Sequence, residues 1–325
     1  MSIVIALDAM GGDNAPEAIV RGAAKAVALM DVSIILVGRQ PDIENELSKL
    51  PNFSQKHKDC ISILHAPDVI GYDESPTTAF RRKKESSIVV GLKTVKEGQA
   101  EAFVSAGSTG ALLTASTMII GRAEGIKRPA LGVLLPYRNG KGVLGYTFLV
   151  DCGANVDCKP EYLSQFAVMG SDYMKNFRMI ENPRVGLVNI GVEQEKGNAL
   201  VKEAYALLKE SDLNFVGNIE GREIPSGDVD VAVCDGFTGN VVLKFMEGVA
   251  KSMMGMIKEE LMSSTVSKIG ALLAKGAFKK IRKRFDYREV GGAPFLGLNH
   301  LVIKAHGSSD ALAFKNAILQ IKEQK

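Results

Sequence analysis

Apolar and polar positions along this chain follow two periods that take turns. Short apolar runs rich in β-formers at 3–7, 33–37, 61–64, 101–104, 131–135, 143–149, 184–188, 213–216, 229–233 and 300–304 predict strands. Longer stretches with apolar residues three and four apart predict helices near 16–30, 41–49, 77–97, 110–121, 160–177, 197–210, 240–262, 264–285 and 309–322. In the first of these helices Ile19, Ala23, Val27 and Met30 form one stripe, with Arg21 and Lys25 outside it. Regular strand–helix alternation predicts an α/β protein with a mostly parallel sheet covered on both faces. One stretch breaks the pattern. The runs Leu131–Leu135 and Val143–Leu149 flank Tyr137-Arg-Asn-Gly-Lys141, and Asn139-Gly140 is hairpin-turn chemistry, so an antiparallel pair is predicted there.

Small-residue loops follow several of the predicted strands. The first strand empties into Asp8-Ala-Met-Gly-Gly-Asp13, after which Asn14 and Pro16 predict the cap and first turn of a helix. Gly11 and Gly12 let a backbone pass close to a ligand, and the helix start directs unpaired N–H groups at an anion. Asp8 and Asp13 repel a bare phosphate, so their part is to orient donors, hold a water or take a proton; a plain βα turn with Asp caps fits the same residues. Ser105-Ala-Gly-Ser-Thr-Gly110 offers hydroxyls and a tight nest of N–H groups, either a phosphate cradle or a capped turn. No Gly-Lys-Ser/Thr follows it, so it is not a nucleotide P-loop. Asp151-Cys-Gly-Ala-Asn155 ends another strand, where Asn155 suits holding a carbonyl or phosphate oxygen, or forms an Asx turn. Asp235-Gly-Phe-Thr-Gly-Asn240 opens a long helix that Thr238 and Asn240 can simply cap. Together these loops place a site at the C-terminal ends of strands, where open α/β sheets hold ligands. Gly291-Gly-Ala-Pro-Phe-Leu-Gly297 carries too much glycine for a plain strand.

Composition narrows the classes. A chain of 325 residues exceeds one small core, so two lobes are expected. A net charge of +3 gives no argument for nucleic acid, and no apolar run is long enough to span a bilayer. The N-terminus enters a strand without a charged leader, so no signal peptide is expected, and four cysteines without a framework fit a reducing cytoplasm. Cys152 and Cys158 lack zinc-knuckle spacing and the four histidines are scattered, so no metal site is expected. Cys152 and Cys234 sit beside candidate loops, but no Cys–His pair is evident, and they are read as small buried thiols. The helix 264–285 interleaves Val266, Ile269, Leu272 and Leu273 with Lys275, Lys279, Lys280, Arg282, Lys283 and Arg284. Such a basic amphipathic helix suits an anionic membrane surface, an acidic partner or a dimer arm. Arg81-Arg-Lys-Lys84 is a second basic patch, read as a solvated helix face.

The stretch Ile5–Pro16, the blocks Ser105–Gly110 and Asp151–Asn155, Val188-Asn-Ile-Gly191, Gly217-Asn-Ile-Glu-Gly221, Asp235–Asn240 and Gly291–Gly297 resemble, in order, the motifs of the bacterial phosphate acyltransferases, the PlsX family of phospholipid synthesis. The resemblance covers nearly the whole chain. It implies a three-layer α/β/α fold similar to the isocitrate dehydrogenase and phosphotransacetylase group, with two intertwined α/β subdomains over residues 1–325. It further implies a homodimer, and a helical arm at 240–285 for membrane or dimer contact. The implied reaction moves a fatty acyl group from acyl-[acyl carrier protein] to inorganic phosphate. The acyl phosphate then serves a downstream glycerol-phosphate acyltransferase in glycerophospholipid synthesis. The implied location is cytoplasmic, peripheral to the inner membrane face, and no cofactor is implied. Under this reading Ser105, Gly107, Ser108, Thr109 and Gly110 hold phosphate, and Asn155 and His306 polarise the thioester. Lys304 is the counter-charge, or meets a phosphopantetheine arm. Asp8, Gly11, Gly12 and Asp13 form the opposite wall, Asp235 and Asn240 complete the cleft, and apolar residues beside Gly291 and Gly292 line an acyl chain. For His306 a packed or capped role, and for Lys304 a strand-end place in solvent, stand as alternatives. The rival readings are a phosphotransacetylase-like enzyme using acyl-CoA and a non-catalytic membrane-peripheral organiser. A nicotinamide dehydrogenase of this fold group lacks support, since no Gly-x-Gly-x-x-Gly occurs in a βαβ setting.

Overall fold

The computed structural model describes residues 3–51, 54–284 and 286–323. Its strands are β1 (Ile3–Asp8), β2 (Val32–Gly38), β3 (Ile61–His65), β4 (Ala102–Ser105), β5 (Ala130–Arg138), β6 (Leu144–Val150), β7 (Val185–Asn189), β8 (Phe215–Glu220), β9 (Val231–Val233), β10 (Ala293–Leu296) and β11 (Leu301–Lys304). Its helices are α1 (Glu17–Leu29), α2 (Gln40–Ser48), α3 (Gln55–Lys58), α4 (Pro76–Arg82), α5 (Ser87–Lys96), α6 (Thr109–Ile119), α7 (Pro160–Arg178), α8 (Ala199–Lys209), α9 (Gly236–Leu261), α10 (Thr265–Arg284), α11 (Tyr287–Val290) and α12 (Ala311–Glu323). The strands form one sheet in the order β3-β2-β1-β4-β11-β10-β5-β6-β9-β7-β8. Two parallel runs, β3-β2-β1-β4-β11 and β6-β9-β7-β8, flank antiparallel β10 and β5. Three antiparallel steps separate the runs, so they point in opposite directions along the sheet.

The apolar stripe of α1 is buried through Ile19, Val20, Ala23, Ala26 and Val27, and joins Ile5, Leu7, Ile34 and Leu36 of β1 and β2 in one core. Phe314, Ala317 and Ile318 of α12 belong to the same core. A Cβ on Gly22 would lie 2.5 Å from the Phe314 Cβ, so the missing side chain sets how closely α1 and α12 approach. A second core holds Phe103, Leu112, Leu131 and Leu149, and a third holds Phe148, Phe166, Val185 and Val231. Phe148 and Phe103 are so tightly housed that Gly132 and Gly91 face their rings, where a Cβ would approach to 1.9 and 2.1 Å.

The structure differs from the pattern in four places. The glycine-rich block contains a strand after all: Gly291, Gly292 and Gly297 lie outside Ala293–Leu296, and these four pair with β11 and β5. The predicted 77–97 helix is two helices, α4 and α5, because Lys83 turns inward. Its Nζ donates to the Val69 carbonyl at 2.6 Å and pairs with Glu74 at 2.6 Å, so Lys83 is not part of a solvated face. The hairpin turns through 139–143, with Gly142 at φ +80° and the Asn139 side chain accepting from Lys141 N and Val143 N; Gly140 is not the left-handed residue. α1 begins at Glu17, and Asn14 does not cap it with its side chain. Its Nδ2 donates instead to the carbonyls of Ser308 and Ser309, tying the first loop to the last.

Candidate active site

Three loops, following β1, β4 and β11, are packed on one another at the ends of the first parallel run. Asp8 is buried, with Oδ2 accepting from Ser105 Oγ at 2.6 Å and Oδ1 from Met10 N at 3.0 Å. Burial raises its carboxyl above the ordinary 3.8, against the pull of the Ser105 and Ser87 hydroxyls. Ser105 Oγ in turn accepts from Gly107 N, so both Ser105 and that amide are engaged inside the loop. A Cβ on Gly11 would sit 2.7 Å from Gly107 N, and one on Gly12, at φ +101°, 2.9 Å from the Gly307 carbonyl. The glycine pair is therefore where backbone meets backbone. Asp13 N donates to Gly307 O at 2.8 Å.

On this base sit two polar tips. Lys304, at the end of β11, directs Nζ to the Ala106 carbonyl at 3.1 Å, and Tyr72 donates its hydroxyl to the same carbonyl at 2.9 Å. Burial lowers the Lys304 ammonium to about 8, despite Asp8 nearby. His306 follows, with Nδ1 2.9 Å from Ser308 Oγ and Nε2 3.4 Å from Lys244 Nζ. Partial burial, then the Lys244 charge, pull its imidazolium below the ordinary 6.5.

The second parallel run supplies the other wall through Asp151, which follows β6 and is buried. Its carboxylate accepts from the amides of Leu131, Gly153, Ala154 and Asn155 and from Asn155 Nδ2. Burial nevertheless raises its pKa above 3.8. Asn155 Nδ2 also reaches the Pro129 carbonyl at 2.8 Å, and its own carbonyl accepts from Gly236 N. Asp235 caps α9, accepting from Thr238 N and Thr238 Oγ1, both at 2.8 Å. Gly239 lets that helix touch the Asp151 turn: a Cβ there would fall 1.9 Å from the Asp151 carbonyl oxygen.

Between the walls lies a cavity of about 400 Å³. Its lining includes the polar Tyr72, Thr109, Lys244, Glu247, Arg284, Asp286, Lys304 and His306 and the apolar Leu131, Leu135, Leu243 and Met246. Of the sequence-predicted residues, Thr109, Asn240, Arg284, Gly291, Gly292, Lys304 and His306 line it. Asp8, Gly11, Gly12, Ser105, Gly107, Ser108, Gly110, Asn155 and Asp235 lie in the adjoining loops and do not, and neither does Asp13, which is exposed beside Gly307 and Tyr72. Ser108 accepts from Ala111 N as the cap of α6. Nothing in the sequence points to Tyr72 or Lys244: a lone tyrosine between Gly71 and Asp73, and a lysine inside a helix stripe, carry no local signal.

Cys152 and Cys234 are both buried, and burial lifts their thiols well above the ordinary value. Cys158 is pushed to about 12 by the same cause. Thiolates are disfavoured here, so Cys152→Ser and Cys234→Ala are expected to keep activity within about threefold of the parent; loss beyond roughly a hundredfold in a folded variant would mean that one of these thiols takes part in the chemistry.

The helices α9 and α10 form a projecting pair. α10 exposes Val266, Ile269, Leu272 and Leu273, and Lys275, Lys279, Lys280 and Lys283 lie along it. The side chain of Arg282, and Phe285, lie outside the described residues. Among the described residues no helix is long and apolar enough to cross a membrane, and no three metal-ligating side chains gather.

This arrangement, an open α/β sheet with a cleft between two parallel runs, is that of the phosphotransacetylase-like folds. A phosphotransacetylase from Streptococcus pyogenes aligns with TM-score 0.66 at 19% identity, over 99% of this chain and 94% of its own. A branched-chain phosphotransacylase from Enterococcus faecalis V583 aligns with TM-score 0.60 at 13% identity, over 99% of this chain and 98% of its own. The sequence matches the family described as "Fatty acid synthesis protein" over residues 3–324. A protein of Clostridium botulinum (strain Loch Maree / Type A3) named phosphate acyltransferase is 53% identical over 321 residues, 98% of this chain and 93% of that one. A protein of the same name from Clostridium kluyveri (strain ATCC 8527) is 52% identical over 318 residues, 98% of this chain and 92% of that one. The chain belongs to this fatty acid synthesis protein family, the PlsX phosphate acyltransferases, and it is an acyltransferase.

Proposed function

We propose that the protein transfers a fatty acyl group from acyl-[acyl carrier protein] to inorganic phosphate, releasing acyl phosphate for glycerophospholipid synthesis. The single observation that supports this most is a cavity whose lining brings the Lys304 ammonium and the Tyr72 and Thr109 hydroxyls together with the aliphatic Leu131, Leu135, Leu243 and Met246. A phosphate at Lys304, Thr109 and Tyr72 would face a thioester carbonyl whose chain lies against Leu131, Leu135 and Leu243. Phosphate near neutral pH is already anionic enough to attack, and the departing thiolate is stable, its reference pKa being about 8.5. The protein then has to supply placement and donors for the developing oxyanion, not a strong base. His306 and Lys244, which line the cavity side by side, are the donors this reading assigns to the oxyanion. Asn155 and Asp235, engaged within their loops, act by holding the wall on which Asn240 sits; Asp8 and Ser105 do the same for Lys304.

Incubation with palmitoyl-carrier protein and labelled phosphate should give a hydroxylamine-sensitive acyl phosphate. Labelled product from palmitoyl-CoA alone would favour the coenzyme-A reading instead.

The same reading assigns the α10 face to an anionic membrane and the exposed stripe Phe245, Val249 and Met253 of α9 to a second copy of the chain. Replacing Lys275, Lys279, Lys280 and Lys283 by Gln is expected to release the protein from phosphatidylglycerol vesicles in co-sedimentation while sparing turnover on dispersed substrate. Unchanged sedimentation would remove the membrane from the proposal.

A further inference from the structure

The loop between β3 and α4 reaches the cavity through Tyr72, and one ammonium fixes the shape of that loop. Lys83 Nζ donates to the Val69 carbonyl at 2.6 Å and to Glu74 Oε1 at 2.6 Å. These partners lie on either side of Tyr72 in the chain. Glu74 Oε1 also accepts from Gly71 N at 2.6 Å, so the same carboxylate holds the residue next to Tyr72. Lys83 is itself anchored, because it closes α4 with its amide on the Ala79 carbonyl. At the other end of α4, Pro76 packs on the turn that carries Thr109: a Cβ on Gly110 would lie 2.9 Å from Pro76 Cγ. The side chains of Lys83 and Glu74 are each one-third exposed, and an ion pair that wet adds little to global stability. Its effect is on the conformation of the loop.

That conformation decides where one hydroxyl goes. Tyr72 is more than half exposed, so no core packing places its ring. Its hydroxyl lies over Gly307, where an added Cβ would fall 3.0 Å from it, and donates to the Ala106 carbonyl at 2.9 Å. A carbonyl oxygen has two lone pairs. On Ala106 the Tyr72 hydroxyl takes one and Lys304 Nζ, at 3.1 Å, takes the other. Lys304 gives a second proton to the Ala305 carbonyl at 2.5 Å, which leaves its third for an anion. An anion arriving at this ammonium therefore meets no bare carbonyl dipole. Without the Tyr72 hydroxyl, one lone pair of Ala106 would stand open beside it and repel it.

We propose that Lys83, together with Glu74, is a positioning residue for phosphate binding: the pair clamps the loop so that Tyr72 covers the Ala106 carbonyl beside the Lys304 ammonium. The proposal rests on the acyl-transfer reading above, from which it takes phosphate as the anion. Lys83 is not among the described residues that line the cavity, whereas Tyr72 and Lys304 are. Lys83 acts through Tyr72, so its influence on phosphate should vanish once the Tyr72 hydroxyl is gone.

The test is a double-mutant cycle read by orthophosphate titration of the full chain, followed by phosphorus NMR line width with no acyl donor present. Tyr72→Phe is expected to weaken binding about tenfold, and Lys83→Met about five- to tenfold. Lys83→Met added to Tyr72→Phe is expected to weaken it by less than about twofold more. Glu74→Ala opens the clamp from its other end and should repeat the pattern, which serves in place of Lys83→Met if that variant folds poorly. In the acyl phosphate assay, Lys83→Met and Glu74→Ala should raise KM for phosphate and leave KM for the acyl donor alone. A merely structural loss of active protein would instead lower kcat and leave both KM values unchanged. Parental phosphate affinity in Lys83→Met and Glu74→Ala would overturn the positioning role. So would an equal loss in the parent and in the Tyr72→Phe background. A parent protein that binds orthophosphate but forms no acyl phosphate would sink the acyl-transfer reading and leave the clamp standing; one that binds no orthophosphate would overturn both.

Discussion

Gly239→Ala is expected to cost about 3 kcal/mol or more of stability, whereas Gly248→Ala, further along the same helix, is expected to add about 0.5–1 kcal/mol. The chemistry of the two changes is identical; the surroundings differ. A methyl at 239 would lie 1.9 Å from the Asp151 carbonyl oxygen and 3.0 Å from its carbon, which are backbone atoms with no rotamer to yield. α9 would have to retreat from the Asp151 turn. That turn is where one buried carboxylate gathers four backbone amides and a side-chain amide, so its displacement orphans several donors together, at roughly 1–3 kcal/mol each. Nothing lies within 4 Å of a methyl at 248, so only the helix preference for alanine over glycine remains. Urea midpoints of the two variants against the parent give the measurement. A Gly239→Ala protein as stable as the parent would mean that the helix and the turn are not in contact.

The contrast also marks what periodicity carried. Strand–helix alternation was enough for the sheet. Buried parallel strands such as β4, with Ala102, Phe103 and Val104 all enclosed, and helices such as α1 announce themselves by apolar spacing. It failed at β10, where flanking glycines at 291, 292 and 297 masked four residues able to pair. It failed at Lys83, whose ammonium turns inward because Glu74 and the Val69 carbonyl, 9 and 14 residues upstream, await it. At the site, the glycine loops were visible as loops. Their division of labour was not. Whether a loop faces the cavity, as at Thr109, or braces it from behind, as at Ser105 and Asp235, depends on neighbours that are 97 residues away in the case of Asp8 and Ser105. The hub role of Asp151 needs partners from both β5 and its own turn, and Tyr72 reaches the site from a loop that no pattern singles out.

Lys304→Met is expected to lower kcat/KM for phosphate by about 10²–10³, with a much smaller change in KM for the acyl donor. The reason is local. Lys304 is the cation whose Nζ sits over the β4 loop, held by the Ala106 carbonyl at 3.1 Å with Asp8 nearby, and it lines the cavity. The pH dependence gives a readout that a merely structural role would not move. Burial sets its pKa to about 8, below the ordinary 10.5, so the ammonium loses its charge as pH rises through about 8. The kcat/KM for phosphate in the parent should therefore fall above that pH. Lys304→Arg, whose guanidinium stays charged, should carry the fall to higher pH even if its absolute rate is lower. Stability moves the other way. The folded state binds fewer protons than the unfolded chain between about 8 and 10.5, so the parent gains stability as pH rises across that window. Lys304→Met lacks the group and should lack that gain relative to the parent. A Met variant with parental phosphate kinetics and the same alkaline limb would remove Lys304 from the phosphate site, whatever it did to stability.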